Sequence, residues 1–267
     1  MSLKTSMPCP ACPPSKCPPL SSFASTPASP APATKNKSGF DEIHSRAYSK
    51  VKQRLMDMSG WTKHVFDKGT LESWERGDGG LEDSDRLLVA KYYYAANSVF
   101  EFGLGESTKI AAHINVPFYK GMDTDATWVG IARDNAPDHF RFEFGDIGTT
   151  IAWGNPATPF LPKAPIDYTI QPLSSEPEPF DIYMVDGRYR VASALASFLH
   201  ALSKGMARDE IRVFIHDYTE RPHYHKIEQW TERVEVSRLL VVLKLKAGTT
   251  EDQLVEAWES FVTTDYS

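Results

Sequence analysis

Apolar and polar positions along this chain follow two alternating rhythms. Short apolar runs bounded by turn residues lie near 98–103, 118–123, 140–145, 181–186, 211–216 and 237–246. Runs of this length and composition predict strands. Between them, near 107–114, 125–134, 188–204 and 221–232, the spacing predicts helices. Such alternation predicts a Rossmann-like α/β fold, a doubly wound and mostly parallel sheet. Upstream, Ile43, Ala47, Val51 and Leu55 fall on one helical face of DEIHSRAYSKVKQRLMDM, so 41–75 reads as helical. GDGG at 77–80 is a loop, and Asp83 or Ser84 caps the helix that leads to the first strand. Trp61, Trp74 and Tyr92–Tyr94 read as packing residues. RLLVVLKLK (238–246) closes the sheet as a central or hairpin strand. In TTEDQLVEAWESFV, Leu254, Trp258 and Phe261 mark one face of a C-terminal helix.

Residues 1–40 follow neither rhythm. They are dense in Pro, Ser, Ala and Thr, and cannot bury enough apolar surface to offset their ordering entropy. The expected organisation is a disordered tail, 1–40, and one domain, 41–267. That domain divides into a helical cap (41–97), a core (98–246) and a C-terminal helix (247–267). The tail holds Lys4, Lys16, Lys35 and Lys37 and no acid, so the net charge of −6 splits into +4 and −10. That balance gives no reason to expect a nucleic-acid partner. No apolar run approaches the ~20 residues of a membrane span. Cys9, Cys12 and Cys17 all lie in the tail, without a histidine nearby, so a structural zinc site is not expected. A cysteine-free core fits a reducing compartment, and the cytoplasm is the expected location. The Ser-rich, acid-free tail keeps organellar targeting as the alternative, although it lacks arginine.

The chemistry concentrates at strand ends, where ligands of such sheets bind. SVFEFGLGEST (98–108) is a strand, a glycine turn and a helix start. Gly103 and Gly105 permit close backbone approach, and the helix start at Ser107 offers free N–H groups. A dinucleotide fingerprint would place a third glycine where Thr108 stands, which disfavours NAD. Asp123 ends the second strand, 20 residues after Gly103, the usual distance of an acid that binds ribose hydroxyls. Asp125 is the fallback, and helix capping is the alternative for both. Asp146 ends the third strand, Asp186 the fourth, and His216-Asp217 the fifth. Asp186 and Asp217 should emerge side by side. They suit either a hard divalent ion such as Mg²⁺ or, with His216, a general base. Arg188 and Arg190 either bind an acidic acceptor or pair with these aspartates. Arg221, Tyr224, His223 and His225 lie just beyond.

Glu101-Phe-Gly103-Leu-Gly105, Asp123, Asp146-Ile147 and Asp186-Gly187 together resemble the ordered motifs of class I S-adenosylmethionine (SAM) methyltransferases, over about residues 90–246. GDIGTTIAWGNP, VDGRYRVASAL and HDYTERPHY further resemble a little-characterised methyltransferase-like family. The resemblance implies SAM as cofactor, held by Glu101, Gly103, Gly105, Ser107, Asp123, Asp146 and Ile147. Glu101 would suit the cationic end of SAM, Asp146 the adenine amino group, and Ile147 the ring. The strand-end placement assigns catalysis to Asp186, His216 and Asp217, with Arg188, Arg190, Tyr218 and Arg221 on the acceptor side. The Asp186–Asp217 pair also resembles metal-dependent O-methyltransferases, but Tyr218 stands where their third oxygen ligand is commonly Asn.

The expected function is methyl transfer from SAM to a small-molecule acceptor, most simply at oxygen. The alternative is a catalytically silent SAM- or nucleotide-binding module. It predicts that Asp186, His216 and Asp217 satisfy one another and are closed to any acceptor.

Overall fold

The computed structural model describes residues 80–151, 154–157 and 164–264. The tail, the helical run expected at 41–75 and the packing residues Trp61 and Trp74 lie outside these residues. Helix α1 (Asp83–Ala95) leads to strand β1 (Ser98–Phe102). Helix α2 (Glu106–Ile114), strand β2 (Phe118–Asp123), helix α3 (Ala126–Asn135) and strand β3 (Arg141–Phe144) follow. A small ladder, β4 (Thr150–Ile151) with β5 (Asn155–Pro156), precedes two short helices, α4 (Ala164–Thr169) and α5 (Gln171–Ser174). Strand β6 (Ile182–Val185), helix α6 (Arg190–Ser203) and strand β7 (Val213–Ile215) complete the parallel part. A 3-10 helix (Pro222–Gln229), strands β8 (Thr231–Val236) and β9 (Val241–Leu245) and helix α7 (Glu251–Val262) end the chain.

The seven-stranded sheet has the order β3-β2-β1-β6-β7-β9-β8. β3 through β7 are parallel, whereas β9 runs antiparallel to both β7 and β8. Strand order reverses between β1 and β6, which is where a doubly wound sheet opens a crevice. Apolar side chains cover both faces, so the central strands are nearly all apolar rather than alternating. On one face Phe100, Phe102, Val185, Ile215 and Leu243 pack with Val191, Leu195 and Phe198 of α6 and Leu254 of α7. On the other, Val99, Met184, Phe214 and Val242 pack with Val89 and Tyr93 of α1 and Ile110 of α2.

Most predicted elements stand within two or three residues of their observed bounds. The exception is the stretch read as a helix over 221–232. It is a 3-10 helix followed by β8, whose face is mostly exposed, so its apolar positions are too few to announce a strand. RLLVVLKLK does close the sheet, as the inner strand of the β8–β9 hairpin. Neither Asp83 nor Ser84 caps α1; the cap position is Glu82, which makes no side-chain bond. Thr250 caps α7 by accepting from Gln253 N, while Gln253 Oε1 accepts from Thr250 N. Leu254 and Phe261 are buried as expected, and Trp258 Nε1 donates to Thr169 Oγ1 at 3.0 Å.

Two buried charges tie elements together. Lys120 on β2 is 1% exposed and meets Pro172 O, Glu176 and Glu143 at 2.8–2.9 Å. Asp85 on α1 is fully buried and accepts from Ser237 Oγ and, at 3.1 Å, from Leu239 N. Asp85→Ala leaves those two donors without an acceptor and should lower stability by about 1–3 kcal/mol. Urea unfolding monitored by circular dichroism checks this, and a midpoint within error of wild type would refute the assignment.

Candidate active site

The parallel strands end together at one rim. Beyond the last paired residues their backbones stay in register. Asp186 N donates to Phe102 O at 2.8 Å, Gly145 N to Asp123 O at 2.8 Å, and His216 N to Val185 O at 3.1 Å. Gly103 sits at φ +88°, and a Cβ there would stand 2.5 Å from Gly187 N. A Cβ on Gly187 would in turn strike the Tyr168 hydroxyl. The β1 and β6 loops therefore touch backbone to backbone, which only glycine permits. At Gly105, by contrast, a Cβ would meet nothing within 4 Å, so that face of the loop is open.

Glu101 has a different role from the one expected. It is fully buried, on the α2 side of the sheet. Its carboxyl accepts from Ser107 Oγ, from Tyr119 OH and, at 3.0 Å, from Thr108 Oγ1. Thr108 Oγ1 also accepts from Gly105 N at 3.0 Å. The residue that replaces the third glycine thus links Glu101 to the turn. Glu101 and the Ser107 side chain shape the loop from beneath rather than facing a ligand. Burial raises the Glu101 pKa to about 8, outweighing the bonds from Ser107 and Thr108, so it is protonated at neutral pH and one of these hydroxyl contacts then takes the carboxyl's own hydrogen.

Asp123 stands at the rim, 9% exposed. Its two oxygens accept from Leu104 N at 2.7 Å and Asp125 N at 2.8 Å. Each carboxylate oxygen has a second lone pair, so ribose hydroxyls can still be accepted. Burial lifts its pKa to about 6, against the pull of those two amides. Asp125 is the cap of α3, accepting from Thr127 N at 2.8 Å. Asp146 is exposed and accepts from Gly148 N at 2.9 Å, a turn role. Ile147 is 3% exposed and packs in the core with Phe102 and Tyr168.

The sheet brings Asp186, His216 and Asp217 together, with ligand atoms within 4.8 Å of one another. His216 Nδ1 lies 3.0 Å from Asp186 Oδ1. Burial disfavours the Asp186 charge, but the His216 and Arg190 charges prevail and hold its pKa at about 2. An ionised carboxylate only accepts, so the hydrogen between them belongs to Nδ1. His216 Nε2 is buried and has no hydrogen-bond partner among the described residues. Such an atom costs about 1–3 kcal/mol. Asp217, at φ +57°, and Tyr189, at φ +51°, hold left-handed backbone that non-glycine residues avoid. Strain of this kind collects at functional sites.

Arg190 is committed to this cluster. Its nitrogens lie 3.0 Å from Asp186 Oδ1 and 2.9 Å from Asp217 Oδ2. They also donate to Gly187 O at 3.0 Å, His216 O at 2.6 Å and Asp186 O at 3.2 Å. All five guanidinium donors are used, so Arg190 is no acceptor-binding residue. Tyr218 is also corrected: it is fully buried, and its hydroxyl donates to Glu228 at 2.5 Å. Arg221 is half-buried, 2.9 Å from Asp217 and 2.8 Å from the Tyr224 hydroxyl. Arg188 is 8% exposed, and its guanidinium pKa is lowered by burial and by the neighbouring Arg190 charge. Tyr168, which the sequence reading passed over, lies under the rim, its hydroxyl accepting from Arg188 N at 3.2 Å. It sits in the connection after the third strand, where proline density conceals a short helix.

The cluster does not suit a divalent cation. Arg190 already bridges the two carboxylates, and Arg221 neutralises the remaining charge. Two like unit charges 4 Å apart repel by about 4 kcal/mol near a protein surface, so a divalent ion would have to displace Arg190 or share the two carboxylates with it. Of the oxygens a hard cation seeks, the described residues offer here only the two carboxylates that Arg190 already holds, beside an imidazole. The glycine cradle fits a ribose-bearing ligand better, with open space at Gly105 and Asp123 beside it.

Comparison with solved structures supports the fold. A methyltransferase-like protein from Silicibacter pomeroyi superposes with a TM-score of 0.56 at 19% identity, covering 70% of this chain and 98% of that one. MycE, a methyltransferase of the mycinamycin biosynthetic pathway crystallised with Mg and SAH, gives 0.39 at 13% identity, over 65% and 53%. A proposed caffeoyl-CoA O-methyltransferase from Staphylococcus aureus gives 0.38 at 11%, over 78% and 97%. The first superposition shows a common fold and, at that identity, nothing finer. No family model and no curated protein matches the sequence. The chain therefore has a Rossmann-like fold of the methyltransferase type, and among the described residues no helix is long and apolar enough to cross a membrane.

Glu101 gives the site a pH signature. Its folded pKa of about 8 exceeds the ordinary 4.5, so its contribution to stability is complete below pH 4.5 and is lost as pH rises through 8. Across that window the slope approaches about 1.4 kcal/mol per pH unit. Glu101→Gln should flatten the dependence while keeping the fold. Denaturant titrations at pH 5, 6.5 and 8 compare the two chains; identical pH profiles would refute a protonated Glu101.

Proposed function

We propose that this chain is a SAM-dependent methyltransferase acting on a hydroxyl of a small-molecule acceptor. The observation that carries the reading is the rim itself. An open glycine turn at Gly103–Gly105 and the Asp123 carboxylate adjoin a polar cluster at Asp186, His216 and Asp217, across the point where strand order reverses. SAM, when bound, supplies an electrophilic methyl group. The residues that would hold it are the backbone of Gly103 and Gly105, with Asp123 on the ribose hydroxyls and Asp146 and Ile147 toward the adenine. The protein's share of the chemistry is to align the acceptor with the methyl group and to remove its proton.

The alternative, a silent binding module, predicted a closed and mutually satisfied cluster. Two observations favour an enzyme instead. The Asp186 and Asp217 side chains keep 28% and 25% exposure, and His216 Nε2 lacks a partner. A net charge of −6, without a basic footprint, fits a small acceptor rather than nucleic acid.

Isothermal calorimetry with S-adenosylhomocysteine tests the cofactor. The full-length chain should bind it, and Asp123→Ala should weaken binding by about 10- to 100-fold, the worth of hydrogen bonds to a charged group. Absence of binding to wild type would overturn the cofactor, and unchanged affinity in the variant would overturn the ribose assignment.

A further inference from the structure

We infer that the strand-end cluster is a metal-free proton acceptor, in which Arg190 is the permanent cation and His216 Nε2 takes the proton of an acceptor hydroxyl. The reading of this rim as a methyl-transfer site supplies only the purpose of the step. The assignment of groups stands on geometry.

Two carboxylates at adjacent strand ends ordinarily need a cation between them. Here the chain provides it. Arg190 opens α6, where a cation is poorly placed against the helix dipole. It is held there by both carboxylates, at 3.0 and 2.9 Å, and by the three carbonyls of Gly187, His216 and Asp186. This is the position a divalent ion would otherwise occupy. Tyr218, which follows Asp217, turns its hydroxyl to Glu228 and gives the cluster no further oxygen.

Within this cluster, among the described residues, the imidazole is the group with a buried atom left unpartnered. Asp186 Oδ1 fixes the hydrogen on Nδ1, and Asp217 Oδ1 lies 3.7 Å from the same nitrogen. In the neutral ring the opposite nitrogen, Nε2, carries a lone pair, is buried, and has no donor among the described residues; against its burial, the Asp186 charge and hydrogen bond raise the pKa of the ring. His216 itself is 6% exposed. A buried lone pair without a donor is satisfied by a ligand that brings one. A hydroxyl does so, and the step balances. The O–H bond breaks, the proton goes to Nε2, and the electron pair stays on oxygen. The imidazolium so formed lies against Asp186, which is the orientation by which a carboxylate supports a histidine base. Asp186 and Arg190 are positioning residues in this scheme, and His216 is the catalytic one.

Two measurements on the full-length chain test it without an acceptor in hand. The first is long-range ¹H–¹⁵N correlation of ¹⁵N-histidine protein, with His216 assigned by loss of its signals in His216→Asn. The neutral ring should show a protonated Nδ1 and a bare Nε2, and Asp186→Asn should weaken that preference. A ring carrying its hydrogen on Nε2 overturns the inference. The second is titration with Mn²⁺ alone, read by water proton relaxation. Wild type should show no stoichiometric site at millimolar Mn²⁺, while Arg190→Gln should gain at least tenfold in affinity, and Asp217→Asn in that background should remove the gain. A wild-type Mn²⁺ site abolished by Asp186→Asn overturns the inference, as does a folded Arg190→Gln chain with no gain. If Arg190→Gln does not fold, the wild-type titration and the tautomer decide. Binding of S-adenosylhomocysteine is measured separately, so loss of the methyl-donor reading leaves these outcomes intact.

Discussion

The contact between Gly103 and Gly187 is the constraint on which this site depends. Two parallel strands, β1 and β6, leave the sheet side by side, yet their helices must go to opposite faces. The chains can separate only after passing within van der Waals distance of one another, with no room for a side chain on either. Asp186 N to Phe102 O is the last bond before they part. Gly103 then turns through positive φ toward α2, while Gly187 turns over the Tyr168 hydroxyl toward α6. The open face of Gly105 and the depth of the Asp186 carboxylate both follow from where that parting occurs.

Much of this was legible in the sequence, because strand ends in an α/β chain announce themselves. Apolar runs stop at a glycine or an acid, and Asp123, Asp186 and Asp217 all stand at the rim as read. What the sequence could not display is which way a side chain turns once the backbone leaves the strand. Glu101 lies inside β1, one residue before the strand's end, so the pleat sends it under the loop, where Tyr119 from the next strand waits. Tyr218 follows a left-handed Asp217, and that one unusual φ swings it away from the cluster. Arg190 was weighed as a salt-bridge partner or a substrate residue from the same letters. The decision needed the distance between β6 and β7, which is a property of the sheet. β8 was missed because an exposed edge strand buries too little to leave a pattern.

The charged groups divide by depth. At the amino side, Lys120 and Glu176 form a buried pair, and Glu176 also meets the exposed Arg141, so each charge is answered. Such a network fixes geometry and offers nothing to a ligand. At the carboxyl side the carboxylates are also answered, by Arg190 and Arg221, but the imidazole between them is only half satisfied. The same physical rule, that a buried polar group seeks a partner, makes one cluster structural and the other receptive.

Helix α1 joins opposite arcs of that rim. Near its start, Arg86 meets Glu106 at 2.5 Å, at the head of α2, while Asp85 holds the turn of the β8–β9 hairpin through Leu239. Leu239 O in turn accepts from Tyr218 N at 2.8 Å, directly after Asp217. The Gly103–Gly105 turn and the Asp186–His216–Asp217 cluster are thus spanned by one helix and three polar joints. A helix that ties both arcs leaves less of them to be ordered when a ligand lands between them, which lowers the entropic cost of binding.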